Sequence, residues 1–106
     1  MVRKITKKGL IRKQDKEWRD TIRERDNYTC QVCMKDCGKR ANAHHILPRH
    51  MSAFRWDKNN GITLCFYHHK VGQLSAHQNA IWFSEWLKEH RLEQYEYIIK
   101  QLDAIK

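Results

Sequence analysis

Cys30-Gln31-Val32-Cys33, His44-His45 and Asn60-Gly61-Ile62-Thr63-Leu64-Cys65-Phe66-Tyr67-His68-His69 are the stretches whose reading decides the fold of this chain. A Cys-x-x-Cys turn sets two thiolates on one side of a tight loop, about the bite that a tetrahedral ion requires. One such pair is weak testimony. A second, Cys65-x-x-His68, at a separation that allows strand–loop–strand closure, makes the signal strong. Cys30, Cys33, Cys65 and His68 therefore read as a closed zinc site with a structural role. Cys37 follows the knuckle closely enough to replace Cys33 or His68 as a ligand, or to stay a free thiol. His44, His45 and His69 remain as a second group beside the zinc, and chemistry is expected there.

A chain of 106 residues holds one domain with a small core, a size that commonly needs a metal or disulfide for stability. Its cysteines are read as serving metal, because residues 1–13 contain no apolar run of the kind a signal peptide carries. No stretch approaches the roughly 18 apolar residues that span a bilayer. The expectation is a soluble protein of a reducing compartment with no membrane partner. The formal net charge is +9, and it is uneven. Residues 1–13 carry six cations (Arg3, Lys4, Lys7, Lys8, Arg12, Lys13) and no acid, leaving +3 for the rest. So charged a segment reads as a flexible arm. It either solubilises the chain or contacts nucleic-acid phosphates and releases their counterions.

Behind the arm, Gln14 to Arg25 has the spacing of a helix that turns Trp18, Ile22 and Arg25 to one face, and Asp26-Asn27 ends it. Ala41 to Leu47 suits a short strand that stops at the only proline, Pro48. Arg49 to Asn59 reads as a polar loop anchored by Phe54 and Trp56. Ile62 to Leu64 is a second strand, and from Cys65 the chain turns toward helix. Asn79 can cap a helix that buries Ile81, Phe83, Trp86 and Leu87 in part. Tyr95, Ile98, Ile99, Leu102 and Ile105 make an apolar stripe of helical period that packs on its own domain or meets a second copy. Adjacent strand residues face opposite sides. On one strand, His44 and His45 would divide their work, unless twist at the strand end brought both toward one cleft.

The order and spacing of these blocks resemble the zinc-containing HNH endonucleases, especially the short forms of bacteriophages and bacterial genomes. The matching text lies between about Trp18 and Leu87: Arg25-Asp26-Asn27-Tyr28-Thr29-Cys30-Gln31-Val32-Cys33, Ala43-His44-His45-Ile46-Leu47-Pro48, Asn60-Gly61-Ile62-Thr63-Leu64-Cys65 and His68-His69. The resemblance implies an α+β fold with a small ββα-metal (His-Me finger) core, a structural zinc site, and flanking N-terminal and C-terminal helices. It divides the chain into a basic arm at 1–13, a nuclease domain at 14–90 and a C-terminal helix packed on it at 91–106. The activity implied is metal-dependent hydrolysis of DNA phosphodiester bonds, as nicks or double-strand breaks, leaving 5′ phosphates.

Residue by residue, the resemblance makes His44 a ligand of the catalytic metal, at a position where many relatives carry aspartate. His69 is the second ligand and His45 the general base, while Asn60 holds the loop that orients His45. His77-Gln78-Asn79 matches a His-x-Asn element of short phage forms, which makes His77 a further metal ligand or a phosphate contact. The segment Lys70 to Ala76 is longer than that pattern expects. Relatives commonly bind zinc with four cysteines, so His68 is a departure, and Cys37 in its place would leave His68 free.

A histidine base suits neutral pH, given an unperturbed pKa of about 6.5. A backbone carbonyl of the loop held by Asn60 is a candidate to set its tautomer. The catalytic ion is one of Mg2+, Mn2+, Ni2+, Co2+ or Zn2+, with imidazole ligands favouring the transition metals. Lys39, Arg40, Arg49, Arg55 and Lys58 surround the expected site and can position a duplex through its phosphates, with little base readout. The resemblance further implies a bacterial or phage-infected cytoplasm, a terminase or other packaging protein as partner, and a monomer. The rival reading is a zinc-stabilised nucleic-acid-binding module without catalysis. It accounts for the charge and the zinc half-sites but has no use for His45 beside His44, Asn60 and His69.

Overall fold

The structure, a computed structural model, describes residues 5–106. Thr6 opens the first helix as its cap, its hydroxyl accepting from the Gly9 N–H at 3.0 Å and so satisfying one of the unpaired donors of the first turn. Helix α1 then spans Lys7–Arg25. The expected flexible arm is therefore helical from Lys7 through Lys13, and its Arg3 and Lys4 lie outside the described residues. Lysine, arginine and leucine are good helix formers, the cap supplies a start, and buried Trp18 and Ile22 anchor the second half. At the far end, the Asp26 N–H returns to the carbonyls of Ile22 and Glu24. Asn27 and Tyr28 then take left-handed backbone angles (φ 54° each) that turn the chain into the Cys30 knuckle.

Strands β1 (Asn42–His45) and β2 (Gly61–Leu64) pair antiparallel, with Ala43 opposite Thr63, His44 opposite Ile62 and His45 opposite Gly61. A two-stranded sheet is marginal by itself, and here both faces are covered. On one face the Thr63 hydroxyl donates to the Ile22 carbonyl at 3.3 Å, and Trp18 and Ile22 of α1 fill the space where Gly61 has no side chain. On the other, Ile62 and Leu64 join Cys30, Cys65, Phe83 and Leu87 in the main core. The buried Asp26 carboxylate ties α1 to β2, accepting from the Thr63 N–H at 2.9 Å while the Arg25 guanidinium forks onto it.

As expected from Cys65 onward, the chain turns helical after β2, in a single π-helical turn that the His69 N–H opens by bonding the Cys65 carbonyl at 2.9 Å. Tyr67–Val71 makes one wide turn, closed by the Gly72 N–H to the Tyr67 carbonyl at 2.8 Å. Gly72 lets the Tyr67 ring lie close, since a Cβ there would stand 2.5 Å from it and displace that exposed side chain. After a loop, the Asn79 side chain accepts from the Trp82 N–H at 3.0 Å and starts α2, Ala80–His90. Phe83 and Leu87 are its buried residues, whereas Ile81, expected to face the core, is 80% exposed. Two residues before Phe83, it falls on the opposite side of the helix.

Helix α3, Leu92–Ala104, buries Ile98 against Leu47 and Phe54, with Leu102 beside them. Ile105 lies past the helix end and is exposed. The molecule is thus a small α+β domain, and among the described residues no helix is long and apolar enough to cross a membrane.

Candidate functional site

Two groups of metal-ligating side chains flank β2. In the first, one donor atom each from Cys30, Cys33, Cys65 and His68 lies within 4.8 Å of the others. The pairs separate by 4.0 Å (Cys33 Sγ to Cys65 Sγ), 3.8 Å (Cys30 Sγ to His68 Nδ1) and 3.3 Å (Cys65 Sγ to His68 Nδ1). A tetrahedral ion bound by sulfur and imidazole demands edges of roughly 3.5–3.8 Å, so the donor set fits one metal ion. Local backbone builds this bite. The Cys30 N–H bonds the Lys35 carbonyl, the Met34 N–H bonds the Cys30 carbonyl, and Met34 adopts φ 60° to close the knuckle.

Burial pushes the Cys30 thiol up, but backbone N–H groups of Cys33, Cys65 and Val32 outweigh it and leave Cys30 below the ordinary thiol range. Burial raises Cys33 to about 11. Cys37 takes no part in the cluster: its sulfur meets the Lys35 carbonyl at 3.4 Å, and its side chain packs against the core.

The second group is His44, His69 and His77, again with ligand atoms within 4.8 Å of one another. Each arrives from a different piece of backbone. His44 projects from β1 on the face of Ile62, and His69 sits in the wide turn just after His68. The His77 N–H bonds the His69 carbonyl at 3.0 Å, folding the loop back so that the two Nε2 atoms also meet at 3.0 Å. Two imidazoles at right angles on one ion would stand about 2.9 Å apart, so this spacing also fits a metal. Burial, reinforced by the other imidazoles, lowers His44 to about 3, and burial lowers His69 to about 4. Both rings are consequently neutral near pH 7, the form that binds metal. The His69 Nδ1 is buried with no hydrogen-bond partner, so packing rather than a carbonyl or carboxylate holds that ring.

His45 stands apart from the trio. It leaves β1 on the Gly61 face, and its ring stacks on Trp18 with centroids 3.9 Å apart and planes 8° from parallel. Its Nε2–H donates to the Arg55 carbonyl at 2.9 Å, which leaves Nδ1 as the acceptor nitrogen. Burial lowers its pKa, the Arg55 carbonyl raises it in part, and the Arg49 charge lowers it again, for a net fall. Fully buried Asn60 organises the segment that carries this carbonyl. Its side chain accepts from the Leu47 N–H at 2.6 Å and donates to the Leu47 and Phe54 carbonyls at 3.1 and 3.0 Å.

His44, His45, His69 and His77 all border one cleft of about 680 Å3, lined also by Phe83, Leu87 and Ile98. Arg49 lies at its edge, as does Lys70, which sequence reasoning did not single out. Lys39, Arg40 and Lys58 are exposed but do not line it. Arg55 does not line it either; its Nε and Nη2 bind Asp15 at 2.9 and 2.7 Å. Behind His45, Trp18 and Asp15 also went unrevealed by the sequence, because helical periodicity marks Trp18 only as core and Asp15 only as surface. In comparisons with known proteins, no protein-family model matches the chain, and neither a curated protein nor a solved structure does.

Proposed function

We propose that the protein is a metal-dependent DNA endonuclease of the HNH kind, with β1, β2 and the turn bearing His69 as its ββα-metal core. In this reading Cys30, Cys33, Cys65 and His68 hold a structural zinc, and His44, His69 and His77 hold the catalytic divalent ion. One observation carries it. An imidazole outside a three-imidazole group borders the same cleft and has its tautomer set by a backbone carbonyl. A protein that merely needed zinc to fold would not require that pairing.

A divalent ion held by the trio would supply charge stabilisation for the scissile phosphate and its departing oxygen. The remaining work belongs to the chain. His45 donates through Nε2 to Arg55 and keeps Nδ1 free, so it takes the proton of the water that attacks phosphorus as the P–O3′ bond breaks. Its lowered pKa keeps it unprotonated at neutral pH. Arg49 and Lys70 at the cleft edge contact neighbouring phosphates. Exposed Lys8, Arg12 and Arg19 share one side of α1 and extend that contact.

Plasmid relaxation by the purified protein in EDTA, magnesium, manganese or nickel, beside His45→Ala, tests the reading. Metal-dependent nicking lost in the variant is expected. A DNA mobility shift without cleavage in any metal would instead make the protein a zinc-stabilised binding module.

A further inference from the structure

We infer that helix α1 positions the His45 base at the face of its ring and at its Nε2 edge, with Trp18 as the contact plate and Asp15 as the tie; this rests on the reading of His45 proposed above. A general base acts only if its lone pair meets the attacking water, and the imidazole must therefore be fixed in tilt and in rotation about its plane. Trp18 fixes the tilt, since the two rings lie nearly parallel with centroids 3.9 Å apart. The Arg55 carbonyl, 2.9 Å from Nε2, fixes the rotation.

Both restraints lead back to α1. The indole is itself pinned, its Nε1–H donating to the Asp57 carbonyl at 2.8 Å. The Arg55 side chain is clamped by both carboxylate oxygens of Asp15. That same carboxylate accepts from the Trp56 Nε1–H at 2.9 Å. Asp15 and Trp18, one helical turn apart, thus hold the loop that provides the carbonyl and the plate that backs the ring.

Gly61 supplies an independent observation. It is the cross-strand partner of His45, and a Cβ there would lie 2.5 Å from Trp18 Cζ2. Its backbone, at φ −138° and ψ 151°, is extended and open to any residue. Glycine is therefore needed for space, which the indole of Trp18 shares with the Ile22 side chain, 2.7 Å from that Cβ. An indole that served the core alone would not have to lie flat on the one imidazole lining the cleft that is not part of the three-histidine group.

The test uses the full-length, zinc-loaded protein as wild type, Trp18→Leu, Trp18→Phe and Asp15→Asn. Three quantities are read: the nicking rate constant in manganese, KM for plasmid, and the proton resonances of the His45 ring, which an indole face shifts upfield. Trp18→Leu should lose the upfield shift and fall on the order of 10²-fold in rate, the scale expected for a misplaced reacting group, with KM and zinc content unchanged. Trp18→Phe, which keeps a flat aromatic face, should recover most of the rate. Asp15→Asn should lose rate without a change in KM.

A folded Trp18→Leu protein with wild-type rate would overturn the inference, as would a lost rate with the ring shift retained. If Trp18→Leu does not fold, Asp15→Asn decides, and a wild-type rate there overturns it. Wild-type protein that nicks in no metal would instead sink the nuclease reading. The ring shift then decides whether Trp18 orients His45: present in wild type and reduced in Trp18→Phe supports it, and absent in wild type overturns it.

Discussion

His44 and His45 are adjacent in the chain, yet their rings part: His44 lies 4.9 Å from the His69 ring, while His45 turns to the other face of the sheet and stacks on Trp18. The strand pleat alone accounts for the division. It places one imidazole among ligands and the next beside them, with its own hydrogen-bond partner, and both still reach one cleft.

His45→Ala should retain fold and zinc content while cleavage falls by about 10²–10⁴-fold, the range for a lost general base. Plasmid relaxation and metal analysis on the same preparation check it. Retained nicking would reject His45 as the base.

Cys30→Ser should lose metal and cooperative folding together, because structural zinc in small domains contributes on the order of 10 kcal/mol to folding. Cys37→Ser should keep full zinc stoichiometry, since that sulfur meets only a carbonyl and the core. Zinc quantification with thermal unfolding separates the two; equal losses would place Cys37 among the ligands.

Asn60→Ala removes three buried hydrogen bonds to Leu47 and Phe54. Unsatisfied buried groups cost about 1–3 kcal/mol each, so a loss of roughly 3 kcal/mol in urea unfolding is expected along with reduced nicking. Unchanged stability would show that water replaces the amide.

The Asp15 carboxyl is held below the ordinary carboxylate range chiefly by its bonds to Arg55, against the opposing effect of burial. A depressed folded-state pKa means the ion pair contributes its full stability above the unfolded value, near pH 4, and loses it as pH falls through the folded value. Wild type should therefore exceed Asp15→Asn in stability at pH 7, with the gap closing in acid. Denaturant midpoints at pH 7, 5 and 3 measure this, and a gap independent of pH would remove the ion pair as its cause.

Because Lys7 to Lys13 is helical, its charge is better tested by substitution than by deletion. Replacing Lys8, Arg12 and Arg19 with Gln should weaken DNA binding and reduce the slope of log K against log salt by about 0.9 per lost phosphate contact. An unchanged slope would make the α1 cations a solubilising surface.

The sequence by itself determined the parts whose geometry is local. A Cys-x-x-Cys turn and a Cys-x-x-His turn carry their bite in a few residues, so both half-sites were legible, as were the two strands and the Asn79 cap. Only the tertiary structure decided what depends on distant segments. Cys37 is left outside the cluster, the cations from Lys7 to Lys13 lie on a helix, Ile81 faces solvent, and a loop hydrogen bond returns His77 to His69. The stack of Trp18 on His45 across 27 positions, and the pairing of Asp15 with Arg55 across 40, leave no periodic trace in the chain. Local patterns encode backbone turns and faces. Which faces meet is decided when α1 closes over the sheet at Gly61, where the absence of a side chain admits Trp18.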